Sequence, residues 1–341
     1  MRVRYRRRIM AVKITDVAAR AGVSVGTVSN VLNGRATVSA AAAERVRAAI
    51  DALGYVRNDA ARQLRAGRSR SIALIVLDAG NPFFAAVARG AEARAADDGY
   101  VVLLGSSGAA PDHERLYLDQ FREQRVAGVL LTPADADGDV VERLAAAGIP
   151  VVLVDEQMHG SDVCAVSVDD VEGGHLAVAH LLARGRRRIA FVAGPLTTRQ
   201  VADRLAGARR AVAEVDGAEL EVIEADAMTV LAGRAAGERV RERADRPDAV
   251  FAANDLLAVG VLQALTMLGD IRVPDDIALV GYDDIDFAAA TVVPLTSVRQ
   301  PAEALGSTAV DLLLRQLDGE LDPAERQVRF RPELIVRASS G

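Results

Sequence analysis

Between Ile14 and Gly34 the chain reads ITDVAARAGVSVGTVSNVLNG. Its apolar or small residues Val17, Ala18, Ala21, Val23, Val28, Val31 and Leu32 fall at helical spacing on either side of a break at Ala21-Gly22-Val23. The pattern predicts two short amphipathic helices joined by a tight turn, a helix-turn-helix. Thr15 and Ser24 are the expected N-caps, since a hydroxyl there can accept a hydrogen bond from the first helical turn. Gly22 supplies the turn, Ala18 and Ala21 let the helices cross closely, and Val23 and Val28 fill the space beneath. The second helix presents Val25, Gly26, Thr27, Ser29 and Asn30, a surface of short side chains that suits the major groove of DNA. Spacing alone also fits an ordinary helical hairpin of a globular core.

A third helical pattern starts after Ser39, with Ala42, Val46, Ala49, Ile50 and Leu53 on one face and Gly54 as its stop. Residues 59–67 carry a short helical pattern too poor in apolar side chains to be stable alone, because helix nucleation is costly. Residues 67–70 read as a linker. From Ser71 the pattern changes to continuous apolar runs of strand length alternating with helices, as expected of a parallel sheet covered on both faces. Strands are expected at 72–77, 100–104, 129–131 and 151–154, with helices at 83–98, 112–124 and 140–147. A second round begins near Val163, with strands at 166–168, 189–192, 221–223, 250–252 and 277–280 and helices at 172–184, 201–215, 231–244 and 256–268. A helix at 302–317 and a strand at 328–330 would return the chain to the first unit and cross back. Two such units in tandem leave a cleft at the carboxyl ends of their strands.

Charge sharpens this division. The formal net charge is −6, yet residues 1–70 hold 15 Lys and Arg against 4 Asp and Glu, leaving 26 against 43 for the rest. A basic end is a footprint for phosphate, and an acidic remainder keeps the rest of the molecule off DNA. Of the basic residues only Lys13 is a lysine, so the location of the charge is more informative than its arginine richness. With 341 residues, half of them hydrophobic, the chain can build two or three domains. A single cysteine, Cys164, excludes an intrachain disulfide framework and fits a reducing cytoplasm. His113, His159, His175 and His180 form no metal pattern, so neither a metal nor another cofactor is expected. No apolar run reaches the roughly 20 residues of a membrane span. The basic start, Arg2 to Arg8, precedes an apolar stretch too short for a signal peptide. Residues 1–9 are then either a basic arm or, with Met10 as the start, not translated. A Gly-x-Ser-x-Gly elbow, a P-loop and a metal cluster are all missing, which counts against the rival reading of an α/β enzyme. A secreted solute-binding protein would need export and no headpiece.

The motifs ITDVAARAGVSVGTVSNVLNG, VSAAAAERVRAAIDALGYVRNDAARQLR, AGNPFF, RVAGVLL, GRRRIAFVAGP, DRLAGA, VFAANDLLAVG, IALVGYDD and PLTSVRQP together resemble the lactose-repressor (LacI/GalR) family of bacterial transcription regulators, over nearly the whole chain from Ile14. The resemblance implies a small all-α helix-turn-helix headpiece plus two α/β subdomains of periplasmic-binding-protein-like type. The expected divisions are a headpiece at 1–58, a hinge helix and linker at 59–70, and a core at 71–341. Within the core, 71–168 and 300–323 form one subdomain, and 169–299 and 324–341 the other. The resemblance further implies a homodimer reading a pseudo-palindromic operator under control of a small effector.

Carried over by residue, base contacts fall on Val25, Gly26 and Asn30, where Asn30 could pair with adenine and Val25 meet a thymine methyl. Gly26 departs from the polar residue often found there, which makes direct readout thin. Ser24, Thr27, Ser29, Tyr55 and Asn58 match phosphate-positioning places. Leu64 matches a hinge leucine that wedges into the minor groove, with Arg65 beside it, and a central CG step is expected. In the cleft, Phe83, Phe84, Asp169, Arg204, Asn254 and Asp283 match effector-binding places, while Thr198 and Met228 stand where relatives place other contacting residues, so the ligand class does not carry over. An apolar plate ringed by carboxylate, amide and guanidinium groups suits the hydroxyls of a sugar or nucleoside. The expected function is a DNA-binding repressor controlled by a sugar-like metabolite. The alternative is a corepressor-dependent regulator of nucleoside metabolism, and the direction of the effector's action stays open.

Overall fold

A computed structural model describes residues 12–32, 38–55, 69–135, 140–157 and 163–341. The chain separates into two compact units, Met1–Ser69 and Arg70–Gly341.

In the first unit, α1 (Ile14–Ala21), α2 (Val25–Leu32) and α3 (Ala40–Leu53) pack around a small core of Val17, Ala18, Ala21, Val28, Val46 and Ala49. Val23, Ile50, Leu53 and Tyr55 close its edges. The expected cap at Ser24 is present, its Oγ accepting from the Thr27 amide at 3.1 Å. Ser39 caps α3 through the Ala42 amide. Thr15 does not cap α1. The helix starts one residue before it, and the Asp16 carboxylate instead accepts from the Lys13 backbone amide at 2.8 Å. An acidic residue in the first turn competes well for that role because it also meets the positive end of the helix dipole. Gly22 and Gly54 end α1 and α3 in the left-handed conformation that glycine adopts without strain.

The second unit carries two six-stranded sheets. The first lobe contains β1 (Ser71–Val76), α4 (Pro82–Asp97), β2 (Val101–Ser106), α5 (Pro111–Glu123), β3 (Gly128–Leu131), α6 (Val140–Ala146), β4 (Val151–Val154) and β5 (Cys164–Val168). The second lobe contains α7 (Asp170–Ala183), β6 (Arg188–Ala193), α8 (Arg199–Ala213), β7 (Glu219–Glu224), α9 (Val230–Glu242), β8 (Ala249–Ala252), α10 (Asp255–Thr266), β9 (Ala278–Asp283) and β10 (Thr296–Arg299). The chain then returns through α11 (Ala302–Asp318) and β11 (Gln327–Phe330) to the first lobe, and β12 (Glu333–Ile335) ends in the second. The sheet orders are β11-β5-β4-β3-β1-β2 and β12-β10-β9-β8-β6-β7. All pairings are parallel except that of β10 with β12.

Strand pairing settles one segment and moves another. The strand at 166–168, which opens the second round by its place in the pattern but falls in the 71–168 subdomain by the family resemblance, pairs with β4 in the first sheet. Residues 327–330, expected in the second subdomain with 324–341, pair in parallel with β5. Only β12 and the residues after it rejoin the second lobe. Apolar periodicity identifies a strand but carries no information on which of two sheets offers it a partner. Strands β10 and β12 were not expected at all: Thr296-Ser297-Val298-Arg299 and Glu333-Leu334-Ile335 are too short and polar to stand out.

Three helix pairs in this unit approach by reciprocal glycines. A Cβ on Gly174 would lie 2.0 Å from the Arg204 carbonyl oxygen, and one on Gly207 1.9 Å from that of Val171, which locks α7 to α8. Gly233 and Gly260 do the same between α9 and α10, as do Gly90 and Gly306 between α4 and α11. At such separations only a residue without Cβ fits.

Candidate functional sites

On the surface of the first unit, α2 places Ser24, Val25 and Gly26 in solvent and leaves Thr27, Ser29 and Asn30 half-buried. Val25 is 42% exposed, unusual for an apolar residue of a small core-forming helix. Gly26 is not there for packing, since an added Cβ would meet only Ser24 Oγ, at an ordinary 3.6 Å. Ser24 and Thr27 join their hydroxyls at 2.9 Å, so the Ser24 side chain is engaged in both capping and this pair. Tyr55 packs its ring against the three-helix core. Asn58, Leu64 and Arg65 lie outside the described residues.

The two lobes of the second unit enclose a cavity of about 470 Å³, lined from the first lobe by Asn81, Phe83, Phe84 and Asp155 and from the second by Gln200, Arg204, Met228, Asn254 and Asp283, among others. The aromatic pair comes from the first turn of α4, where Asn81 Oδ1 accepts from the Phe83 amide at 3.0 Å and fixes the entry of the helix. The two rings meet edge-on, 5.0 Å between centroids, a favourable arrangement of their quadrupoles. Thr198 also lines the cavity.

Arg204 is nearly sealed, 4% exposed. Its Nε donates to Asp170 at 2.7 Å and its Nη1 to the Ala253 carbonyl at 2.7 Å. Its guanidinium carbon stacks 3.7 Å above the Tyr282 ring. Burial alone lowers its pKa, but Asp170, with help from Tyr282, Asp283 and Asp155, more than offsets this and keeps it protonated. Asp283 accepts from Gln300 Nε2 at 2.8 Å and lies 3.5 Å from Asn81 Nδ2, so it ties the two lobes together. Burial pushes its pKa up to about 6, against the opposing pull of Arg204 and these two donors. Asp155 is buried with its Oδ1 unpartnered. Burial, reinforced by Asp170, raises its pKa well above the usual carboxylate range. Asn254 caps α10 through the Leu257 amide, and its Nδ2 donates to the Met228 carbonyl.

Five of the six expected cleft residues therefore come together, and Asp169 does not. It caps α7 by accepting from the Glu172 amide at 2.9 Å and pairs with Arg329 at 2.6 Å, away from the cavity lining. Its neighbour Asp170, the first residue of the helix, is the one that reaches Arg204. One step along a helix start turns a side chain by about 100°, and the Asp-Asp pair left that choice invisible in the sequence. Asp155, Gln200, Tyr282 and Gln300 were also missed. Asp155, Tyr282 and Gln300 sit at strand ends and Gln200 in the first turn of α8, where residue type carried no periodic signal. Among the described residues, no group of three or more His, Cys, Asp or Glu could hold a metal ion, and no helix is long and apolar enough to cross a membrane.

Comparison with known proteins gives two family matches. Residues 13–58 match the bacterial regulatory proteins of the lacI family, and residues 178–340 match a periplasmic binding protein-like domain. The chain is 34% identical over 329 residues to the HTH-type transcriptional repressor PurR of Vibrio atlanticus (strain LGP32), covering 96% of this chain and 98% of that protein. It is 38% identical over 334 residues to the HTH-type transcriptional regulator CelR of Thermobifida fusca, covering 95% and 96%. Among solved structures, a complex of the transcriptional regulator CelR with cellobiose matches with TM-score 0.71 and 35% identity, covering 96% of this chain and 99% of that one. A lac repressor dimer bound to operator and the anti-inducer ONPF matches with TM-score 0.83 and 29% identity, covering 96% and 99%.

Proposed function

The chain belongs to the lacI family of bacterial regulatory proteins, and from that premise we propose that it is a homodimeric cytoplasmic repressor whose affinity for a pseudo-palindromic operator is set by a small sugar-like effector in the cleft. The observation that carries this reading is the coexistence of two sites in one chain. An exposed, small-residue face on α2 stands in one unit, and a cavity ringed by Phe83, Phe84, Arg204, Asn254 and Asp283 lies in the other. The headpiece is 1–58, with 59–70 as the hinge. Val25, Gly26 and Asn30 face base edges, and Ser24, Thr27, Ser29, Tyr55 and Asn58 position the backbone. Leu64 and Arg65 enter the minor groove at a central CG step. We assign the protein no catalytic role and no cofactor.

Effector binding then changes the angle between lobes, because Asp283 and Asn81 meet across the cleft, and the hinge transmits that change to the headpiece. A second reading is a corepressor-dependent regulator of nucleoside metabolism, whose relatives would be the repressors named PurR. Selection of bound duplexes from a randomised DNA pool tests both. Enrichment of a palindrome with a central CG, lost in Leu64→Ala, supports the operator reading. Enrichment only after a mixture of metabolites is added favours the corepressor. No enrichment under either condition at low salt removes the headpiece assignment.

A further inference from the structure

Among the described residues lining the cleft, Arg204 is the one basic side chain, beside four aspartates, Asp78, Asp155, Asp226 and Asp283. That arginine is already paired in charge, with Asp170 at 2.7 Å. Asp170 takes Nε, the Ala253 carbonyl takes Nη1, and the Tyr282 ring covers one face. All three partners belong to the second lobe, so the guanidinium is held before any ligand arrives. Room for the clamp is provided by Gly173, where a Cβ would lie 2.1 Å from the Tyr282 hydroxyl.

From this charge balance we propose that the cleft selects uncharged, hydroxyl-rich ligands and rejects phosphorylated or carboxylated ones, and that Asp170 is the residue that sets this preference. The inference rests on the reading of the cleft as the effector site. An arginine recognises phosphate or carboxylate best through two parallel N–H groups. Here Nε is taken by Asp170 and one N–H of Nη1 by the Ala253 carbonyl, so an anion would meet a guanidinium whose charge is already paired. An anion would have to leave water for a buried site whose positive charge is already matched, with Asp155 and Asp283 facing it. A neutral polyol meets no such penalty. Its hydroxyls can donate to Asp283 and to the unpartnered Oδ1 of Asp155, while Phe83 and Phe84 cover its apolar face.

The test uses the full chain without DNA and two probes, glucose 6-phosphate and inorganic phosphate, titrated calorimetrically. Three proteins are compared: wild type, Asp170→Asn, and the double variant Asp170→Asn/Arg204→Met, which removes both members of the buried pair. The double variant also accounts for phosphate taken up by the basic headpiece. Wild type is expected to bind both probes no better than the double variant. Asp170→Asn is expected to gain at least about tenfold in affinity for glucose 6-phosphate, a gain lost in the double variant. Wild-type binding of either anion about tenfold tighter than in the double variant overturns the proposal. So does a folded Asp170→Asn protein with no gain. Should Asp170→Asn fail to fold, the wild type against the double variant decides alone. The two readings fail differently. An effector response that survives in the double variant moves the effector out of this cleft, whereas anion binding that depends on Arg204 keeps the effector here and reverses only its charge.

Discussion

The two lobes of the second unit share a six-stranded, largely parallel design yet contribute to the cleft in different ways. The first lobe presents an apolar plate, Phe83 and Phe84, from a helix start fixed by the Asn81 cap. The second presents an arginine clamped by a carboxylate, a carbonyl and an aromatic ring. Their packing differs in parallel. The second lobe has two helix pairs closed by reciprocal glycines, and the first has one, with α5 and α6 instead resting on larger side chains such as Leu118, Phe121 and Leu144. One lobe is thus built to hold a polar group in a fixed direction, the other to offer area. A polar contact requires direction and loses its value when misaligned, whereas apolar burial tolerates small displacements.

The comparison breaks most readily at Arg204. Arg204→Met leaves Asp170 buried and unpaired, and is expected to cost about 4 kcal/mol in urea unfolding. Adding Asp170→Asn should recover most of that loss, because both members of the pair are then gone. A small effect of the single variant would show that the second lobe is less fixed than its contacts imply. Next in size is Gly174→Leu, which forces α7 off α8 and should cost about 3 kcal/mol. The exposed turn glycine of the first lobe, Gly148 at φ 70° with open space around it, should lose only about 1 kcal/mol as Gly148→Ala. Equal costs at the two glycines would remove the argument from close approach.

A pH series sharpens the electrostatic half. Asp283 rises on folding from the usual carboxylate value to about 6, so the folded protein holds this proton more tightly than the unfolded chain. The stability it contributes is complete below about pH 4 and is lost as pH rises through 6. Asp155 and Asp255, also raised by burial, act in the same direction. The difference in urea midpoint between wild type and Asp283→Asn should therefore change between pH 4 and 6.5 in favour of the variant at the higher pH. Parallel curves would mean that Asp283 keeps an ordinary pKa. The smallest effect belongs to the headpiece, where Ser24→Ala removes the cap of α2 and should cost about 1 kcal/mol, read from thermal unfolding of that unit.

The sequence by itself determined the elements and their order. Helix periodicity, the Ser24 and Ser39 caps and the Gly22 and Gly54 stops are local, involving residues a few positions apart, and each is found where the pattern predicts it. Continuous apolar runs likewise located the interior strands of both sheets except β10. Tertiary structure alone decided that β11 joins the first sheet, that Asp170 rather than Asp169 meets Arg204, that Asp155 and Gln200 line the cleft, and that Tyr282 and Gln300 support the Arg204 and Asp283 side chains in it. Those choices depend on partners from 17 to more than 150 positions away. A pattern of hydrophobic and polar positions records which face of an element is buried; it does not record what lies against that face.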